Sequence, residues 1–379
     1  MTAPSQDTAA LLRPHFLHVF PSFGVGGVPL RMVRVINHFG SRLRHTIVAL
    51  DANFGAAQSL AGEIDVDLVG TGGRRLGFLR TLVNHAAALR RVRPDLLITY
   101  NWGAIEWAMA NRLWPVARQM HFEAGFGKEE ADRQIRRRVL FRRWALAGCV
   151  KIVVPSRRLE DLAREVWKLP AARVAYIPNG VDVERFSDPE RAAIAGFSRA
   201  PGELVIGTVA PLRAEKNIGR LLRVFARLDR SIPARLVIAG DGAERPALIG
   251  LAGDLGVAER VIFTGQVAPE AVLGTFDIFA LSSDTEQMPN ALLEAMAASR
   301  AVAAVDVGDV RSILCEDNRD FVTARDDEAA FARSLSRLLG DPAKRIALGC
   351  LNRERVVAAF SQSRMFAAYS LIFGLDDGR

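Results

Sequence analysis

The sequence predicts an α/β protein in which two domains each surround a parallel β-sheet. The chain has 379 residues, which is more than one hydrophobic core usually serves. Short segments rich in β-forming residues alternate with helical segments, which is the pattern of parallel sheets. Residues 188–203 interrupt this alternation with two prolines and two glycines, after which it starts again. We therefore expect a linker there, with one sheet on each side of it.

The same alternation places the elements. In the first half, strands are predicted at residues 15–20, 46–50, 66–69, 96–100, 119–122, 152–155 and 174–177, with helices that include 29–39, 77–92 and 157–167. In the second half, strands are predicted at residues 205–209, 236–239, 261–263, 278–280 and 301–305. Helices there are predicted at residues 217–228, 245–255, 289–298, 328–339 and 341–360.

Composition narrows the class of protein. Hydrophobic residues make up 50% and charged residues 24%, the balance of a globular chain. The first twelve residues lack the basic start and apolar run of a secretory signal, and no segment is apolar enough for a membrane span. Cys149, Cys315 and Cys350 are too scattered for a zinc site or a disulfide framework. We therefore expect reduced thiols and a cytoplasmic location.

The net charge of +8 is concentrated in the first half of the chain, where residues 1–195 carry 28 Arg and Lys against 18 Asp and Glu. The excess peaks in a run, interleaved with apolar residues, that contains Arg133, Arg136, Arg137, Arg138, Arg142 and Arg143. Such a run predicts a basic amphipathic helix that lies on anionic lipid. The alternative is a solvated helix whose arginine stems cover its own core contacts. Nucleic acid is not an expected partner, because no recognisable binding module surrounds the run.

A helix start flanked by two carboxylates lies in residues 282–297. Pro289 suits the first helical position, where its missing N–H costs nothing. The next amides would then be unpaired donors at a helix N-terminus, which attracts anions. These amides belong to Asn290, Ala291 and Leu292. With Glu286 before them and Glu294 inside the helix, the pattern predicts a phosphate site whose carboxylates accept hydrogen bonds from sugar hydroxyls. The alternative is a capped helix with two solvated acids.

Two basic residues follow the strand predicted at residues 205–209. In open α/β sheets, ligands bind beyond the carboxyl ends of strands. Arg213 and Lys216 lie beyond such an end, as does Glu286 beyond the strand predicted at residues 278–280. A guanidinium can bond two phosphate oxygens and an ammonium acts as a point charge, so both can neutralise a diphosphate. The alternative is a pair of surface charges at a helix entry.

The first strand leads into a glycine-rich loop, and a histidine lies at the end of another strand. Gly26 and Gly27 allow positive φ and a close approach of the backbone to a ligand. The third glycine of a dinucleotide fingerprint is missing, so we expect one wall of a ligand cleft rather than an NAD site. His121 precedes a second glycine loop, where it can bond a substrate hydroxyl or polarise a leaving group. A structural role is the alternative for His121.

A series of motifs resembles one enzyme family. The central motif is Glu286-x7-Glu294. Its companions are Gly26-Gly27, Val154-Pro155-Ser156, Ile177-Pro178-Asn179-Gly180-Val181-Asp182, Glu215-Lys216-Asn217, Gly240-Asp241-Gly242 and Phe263-Thr264-Gly265. In this order and spacing, the chain resembles glycosyltransferase family 4, and in particular the bacterial sugar transferases of exopolysaccharide and lipopolysaccharide gene clusters.

The resemblance implies a GT-B fold, in which two Rossmann-like domains face each other across a cleft. It implies an acceptor-side domain at residues 1–190, a nucleotide-sugar-binding domain at 191–360 and a last helix at 361–379 that packs back on the first domain. It also implies transfer of a hexosyl group from a UDP- or GDP-linked sugar to a lipid-linked or growing polysaccharide. Transfer would proceed with retention of configuration and with no metal or other cofactor. Such an enzyme is expected at the inner face of the cytoplasmic membrane.

The resemblance further implies roles for single residues. Glu294 would accept hydrogen bonds from the ribose, while Glu286 and His121 would contact the donor sugar. Lys216 would hold the diphosphate as it leaves. Gly26 and Gly27 would approach the donor phosphate. The remaining donor-binding positions are Arg213, Met288, Pro289, Asn290, Ala291 and Leu292.

Two of the departures from the family pattern lie at the donor site, and two other functions stay open. Ala210-Pro211-Leu212 replaces the family's Gly-Arg-Leu, and Arg213 is expected to supply the missing charge. Gln287 stands where the family commonly has glycine. One alternative function is that of a nucleotide-sugar epimerase on the same fold. Another is that of a non-catalytic sugar-nucleotide-binding partner in a polysaccharide assembly complex.

Overall fold

The computed structural model describes residues 13–71, 77–126, 130, 134–188, 194 and 197–375. The chain divides into two compact units. The first unit contains the described residues up to Ile177 together with those from Phe366 onward, and the second contains Pro178–Met365. The linker predicted at residues 188–203 lies partly outside the described residues.

Seven strands in the described part of the first unit form one parallel sheet. They are β1 (His15–Phe20), β2 (Arg44–Ala49), β3 (Val66–Gly70), β4 (Leu96–Tyr100), β5 (Arg118–Phe122), β6 (Lys151–Val154) and β7 (Val174–Tyr176). Most of these strands are apolar runs buried along their length, as expected where helices cover both faces of a sheet. The strand order is β3-β2-β1-β4-β5-β6-β7, so the winding direction reverses between β1 and β4.

The main helices of the first unit are α1 (Gly27–Phe39), α2 (Phe78–Val92), α3 (Ile105–Leu113), α4 (Arg136–Leu146) and α5 (Arg157–Asp161). No bounds were predicted for helix α3, because six of its nine residues are buried and its sequence lacks the polar face that marks a surface helix. The single helix predicted at residues 157–167 is wrong in its second half, where Leu162–Val166 forms a π-helical turn.

The described residues of the second unit form a parallel sheet with the order β10-β9-β8-β11-β12-β13. Its strands are β8 (Leu204–Val209), β9 (Ala234–Ala239), β10 (Val261–Gly265), β11 (Ile278–Leu281), β12 (Ala301–Val305) and β13 (Val322–Thr323). The winding direction reverses between β8 and β11. Strand β13 was not predicted, since two residues give no periodicity to detect.

The α-helices of the second unit are α6 (Ile218–Ala226), α7 (Arg245–Asp254), α8 (Glu270–Leu273), α9 (Asn290–Ala297), α10 (Val310–Ile313), α11 (Glu328–Gly340) and α12 (Pro342–Phe360). Apart from β13, every strand of both sheets lies within two residues of its predicted ends. The α/β fold class predicted from the sequence is confirmed.

The last helix, α13 (Gln362–Phe373), returns to the first unit. The ring of Phe373 packs edge-on against Phe16 at 5.2 Å and against Phe39 at 5.7 Å. Tyr369 stacks on Phe122 with ring centroids 5.9 Å apart. The apolar side chains of α13 therefore complete the core of the first unit, as expected for the predicted fold class. No helix in the described ranges is long and apolar enough to cross a membrane.

Candidate active site

The second sheet brings two predicted loops together. Strands β8 and β11 are neighbours, with Ile206 paired to Ile278, and the winding direction reverses between them. The loops that follow these strands therefore start side by side at the carboxyl edge of the sheet. In open α/β sheets this reversal point is where ligands bind.

Lys216 and Glu286 meet in this place. The Lys216 Nζ lies 2.5 Å from Glu286 Oε1, and the Ser283 hydroxyl donates to the same oxygen at 2.8 Å. The side chains of Lys216 and Glu286 are 20% and 12% exposed, so both are shielded from bulk water yet reach solvent. A cation and a hydrogen-bond acceptor are thus presented together at the reversal point of the sheet.

The backbone around Lys216 is fixed by polar contacts with the other loop. Asn217 has a left-handed backbone (φ 42°), its side chain accepts from the Arg220 amide at the start of α6, and its amide group donates to Asp284 at 3.0 Å. Arg220 donates to Asp284 at 2.8 Å and to the Ser282 carbonyl at 2.7 Å. Because these bonds join the two loops, the Lys216–Glu286 pair sits on a preorganised frame.

Two glycines allow the neighbouring segments to approach these loops. At Gly308 (φ 56°) an added Cβ would lie 2.3 Å from the Glu286 carbonyl oxygen. At Gly240 (φ 143°) it would lie 1.8 Å from the Ala210 carbonyl oxygen. Any other residue would collide with backbone at either position. Glycine therefore lets these two segments pack directly against the backbone of the two loops.

Helix α9 begins one residue later than predicted. Pro289 has an extended backbone (ψ 118°) and occupies the N-cap position, and Asn290 is the first helical residue. The Leu292 amide donates to the Pro289 carbonyl at 3.2 Å, so the prediction of an unpaired amide at Leu292 is wrong. The amides of Asn290 and Ala291 remain as the donors at this helix N-terminus.

Asn179 fixes the entry into α9, and sequence reasoning missed this role. Its side-chain amide donates to the Met288 carbonyl at 3.1 Å and to the Asn290 side chain at 2.8 Å. Its backbone N–H points to the Met288 sulfur at 3.1 Å. The only sequence signal was the position of Asn179 in a motif of the family resemblance, which does not show a contact across more than a hundred residues.

The other predicted donor residues lie nearby on the same elements. Glu294 is the fifth residue of α9 and is half-buried. Arg213 is exposed and precedes the 3₁₀ turn Ala214–Lys216. Their assignments to the ribose and to the diphosphate stay predictions.

The glycine loop of the first unit has a different geometry from the one expected. Gly26 is the N-cap of α1 with φ −176°, and neither Gly26 nor Gly27 has positive φ, so the expected use of positive φ is wrong. The helix starts at Gly27 rather than at Pro29. An added Cβ at Gly26 would meet only Pro29 Cδ, at 3.9 Å, so the backbone is open on that side. Its predicted approach to a donor phosphate stays a prediction.

His121 lies inside β5 and is fully buried. Its Nδ1 is 2.8 Å from the hydroxyl of Thr99, and its Nε2 is 3.8 Å from the Glu123 carboxylate. Neither Nε2 nor the two carboxylate oxygens of Glu123 makes a hydrogen bond within the described residues. The ring faces the protein interior in this structure, and its predicted contact with a donor sugar stays a prediction.

The basic run forms α4, but two of its arginines point inward. Arg142 is 1% exposed and donates to both oxygens of Glu130, at 3.0 and 2.9 Å, while its Nε lies 3.4 Å from Glu123. Arg138 donates to Glu130 at 3.2 Å. Burial acts to raise the pKa of Glu130, but hydrogen bonds from Arg142 and the Ile135 amide outweigh it and lower that pKa.

The predicted membrane patch is therefore wrong for Arg138 and Arg142, and Arg133 lies outside the described residues. The outward side of α4, called the basic face below, consists of Arg136, Arg137, Leu140, Arg143 and Trp144. Leu140 is 65% exposed and Trp144 is 40% exposed. Helical spacing does not show which side is buried, and an arginine can be buried when it is fully paired.

Comparison with known proteins follows the same division of the chain. Residues 25–185 match the family described as Glycosyltransferase Family 4, and residues 203–341 match Glycosyl transferases group 1. The chain is 28% identical over 275 residues to a D-inositol 3-phosphate glycosyltransferase of Nocardia farcinica, covering 65% of this chain and 59% of that protein. It is 27% identical over 291 residues to the lipopolysaccharide core biosynthesis glycosyltransferase LpsE of Rhizobium meliloti, covering 76% and 77%.

Among solved structures, HepE of Anabaena in complex with UDP superposes with a TM-score of 0.79 at 15% identity, covering 96% of this chain and all of that one. This likeness shows the fold, which is of the GT-B type. The chain spans about three fifths of the length of the Nocardia relative. The two family matches together extend over most of the sequence, in the order of the two units. The chain belongs to the group 1 glycosyltransferases of family 4.

Proposed function

We propose that this protein transfers a sugar from a nucleoside-diphosphate sugar to a lipid-linked or growing saccharide, with retention of configuration and without a metal. The observation that carries the proposal is the Lys216–Glu286 pair beside the N-terminus of α9, at the reversal point of the second sheet. A cation, helix-end amides and carboxylates are the groups that a sugar nucleotide needs.

The reaction releases a nucleoside diphosphate, so stabilising that leaving group supplies much of the rate. In the proposed complex, Lys216 turns from Glu286 to the diphosphate, and the amides of Asn290 and Ala291 donate to its oxygens. Glu286 then accepts from a sugar hydroxyl, and Glu294 from the ribose. The acceptor oxygen bonds to the anomeric carbon on the face from which the phosphate oxygen departs. The acceptor's hydroxyl proton passes to that oxygen.

UDP-sugars are the first donors to test, and GDP-sugars the second. The solved relative HepE binds UDP, which supports this order. The panel is scored by thermal shift and by release of nucleoside diphosphate with and without a lipid-linked sugar. One donor is expected to raise the melting temperature and to release its diphosphate faster when the acceptor is present.

Substitutions within the second unit test the assignment of residues. Lys216→Ala and Glu294→Ala are expected to lower turnover by about 10²–10³-fold, because each removes a group that contacts the departing nucleotide. The matched controls are Lys344→Ala and Glu259→Ala, which alter a half-buried and an exposed side chain of the same unit outside the proposed site and should keep full turnover. Normal turnover in Lys216→Ala would overturn the site. An epimerised donor without release, or tight donor binding without turnover, would favour the two alternative functions.

The basic face supports a peripheral location at the cytoplasmic surface of a membrane. Three exposed arginines flank Leu140 and Trp144, so apolar insertion and attraction to anionic headgroups would act together. LpsE of Rhizobium meliloti, by its name, acts in lipopolysaccharide core synthesis, which supports a lipid-linked acceptor.

Vesicle binding tests this location. Vesicles with anionic phosphatidylglycerol should bind the protein, and binding should fall with salt. Replacing Arg136, Arg137 and Arg143 by Glu should abolish it, since each arginine near an anionic surface contributes about 1 kcal/mol. Replacing the equally exposed Arg90, Arg91 and Arg93 of the same unit should matter less. Equal loss in both triple variants would mean that net charge, and not this face, determines binding.

A further inference from the structure

The hydroxyl of Ser283 lies at the Lys216–Glu286 pair and has no part in the proposed function. It donates to Glu286 Oε1 at 2.8 Å, and Lys216 Nζ reaches the same oxygen at 2.5 Å. Within the described residues, no other hydrogen bond reaches the Glu286 carboxylate. Both protein donors therefore act on one carboxylate oxygen, and the other oxygen is left to accept from a ligand.

The two donors differ in how firmly they are held. Ser283 is buried, and both of its neighbours in the chain are anchored. The Ser282 hydroxyl donates to the Lys216 carbonyl at 3.1 Å. The Asp284 amide donates to the Glu215 carbonyl at 2.8 Å. The ammonium of Lys216, in contrast, is carried on a flexible four-carbon stem. Lys216 can therefore move to another anion while the hydroxyl of Ser283 stays in place.

The backbone of Glu286 is also held in place, so this residue cannot readily follow Lys216. Its carbonyl oxygen lies 2.3 Å from the position that a Cβ on Gly308 would take, which shows how closely the two segments pack. The side chain of Glu286 is only 12% exposed. A shielded carboxylate that loses its hydrogen-bond donors is costly. Once Lys216 has left, Ser283 is the protein donor that remains to Glu286.

We propose that Ser283 is a positioning residue that retains Glu286 while Lys216 is bound to the diphosphate of the donor. This inference rests on the proposed function, in which Lys216 leaves Glu286 for that diphosphate. The hydrogen bond from Ser283 contributes more in the complex than in the free protein, because Glu286 then has no second protein donor. Ser283 therefore lowers the cost of breaking the ion pair, and it favours binding of the nucleoside diphosphate through Glu286 rather than by direct contact.

Isothermal titration calorimetry with UDP tests this coupling, with GDP as the probe if the wild type binds only GDP. Ser283→Ala should weaken binding about fivefold, since Glu286 loses its last protein donor when Lys216 leaves it. Glu286→Gln should bind at least as tightly as wild type, because Lys216 then has no carboxylate to leave. Adding Ser283→Ala to Glu286→Gln should change the affinity by less than about twofold. The matched control is Ser334→Ala, which alters a similarly buried serine in α11 and should bind like wild type.

The proposal is overturned if Ser283→Ala causes the same loss of affinity in the wild-type and Glu286→Gln backgrounds, because Ser283 would then support the loop and not the carboxylate. Unchanged binding in Ser283→Ala would overturn it as well. Either result, with sugar transfer by the wild type, would refute the role of Ser283 alone. The expected coupling without transfer to any acceptor would refute the proposed function alone. A wild type that binds neither UDP nor GDP would refute both.

Discussion

The two sheets of this protein are wound alike but differ in the chemistry at their reversal points. In the second unit, Lys216 contacts a carboxylate that is partly open to solvent, beside the N-terminus of α9. In the first unit, Arg142 is buried among aromatic rings and bound by two oxygens of one carboxylate. The partly exposed ion pair leaves Lys216 within reach of a ligand, whereas the guanidinium of Arg142 is buried and held by protein partners. The two reversal points thus share a topology, and the side chains of their loops give them different chemistry.

The largest effect on stability is expected when the buried Arg142 loses its partner Glu130. Glu130→Ala should lower the free energy of unfolding by about 3–5 kcal/mol, because it removes the carboxylate that binds the buried Arg142 through both oxygens and leaves that guanidinium with one carboxylate, Glu123, in place of two. Urea unfolding followed by tryptophan fluorescence measures this, since all five tryptophans lie in the first unit.

The matched change in the second unit is Glu328→Ala, which removes the partner of Arg223 and Arg227 at a more exposed place. It should cost only about 0–1 kcal/mol. Adding both Arg142→Met and Glu123→Gln to Glu130→Ala should recover part of the loss, because neither the guanidinium nor the Glu123 carboxylate then remains as a buried charge without its partner. Similar costs for the two glutamates would show that the first cluster is no more buried in solution than the second.

A fall in pH should destabilise the first unit more than the second, because all six histidines lie in the first. Burial, followed by repulsion from His15, lowers the pKa of His45 to about 4, and burial lowers the pKa of His18 well below its usual value. Their folded-state pKa values lie below the unfolded value of 6.5, so the unfolded chain binds more protons. The stability of the first unit is therefore complete above about pH 6.5 and is lost as the pH falls toward 4.

For His45 alone the loss amounts to about 3 kcal/mol. Tryptophan fluorescence reports the first unit, and far-UV circular dichroism reports both units. Between pH 7 and pH 5, the urea midpoint seen by fluorescence should fall more than the remaining dichroism transition. His45→Gln should flatten the pH dependence of the fluorescence midpoint. Equal shifts by both probes would contradict a histidine origin.

The sequence allowed the strands and the positions of the ligand loops to be predicted, because period-2 and period-3.6 patterns are local. It did not allow the inward direction of Arg142 to be predicted, since the residues that pair with it and surround it lie on separate segments, from Trp102 to Trp167. The start of α9 was misplaced for a similar reason. Pro289 is compatible with the first helical position, but a contact from Asn179 holds the preceding carbonyl. Long-range contacts of this kind decide the details of both reversal points.

The smallest effect is expected for Asn179, a neutral side chain that fixes the start of α9 beside the Lys216–Glu286 pair. Asn179→Ala removes bonds to the Met288 carbonyl and the Asn290 side chain, so the first amides of α9 lose their fixed direction. If the loss of these bonds weakens donor binding by about 1.4 kcal/mol, the donor KM should rise about tenfold. We expect kcat to change less and the acceptor KM to stay the same. Asn37→Ala, which removes similar bonds in the first unit, is the control and should leave both KM values unaltered. A fall in kcat with constant donor KM would instead mean that Asn179 acts on the leaving group after binding. Unchanged KM and kcat in Asn179→Ala would mean that packing alone holds α9. The site around Lys216 would then be as rigid as the cluster around Arg142.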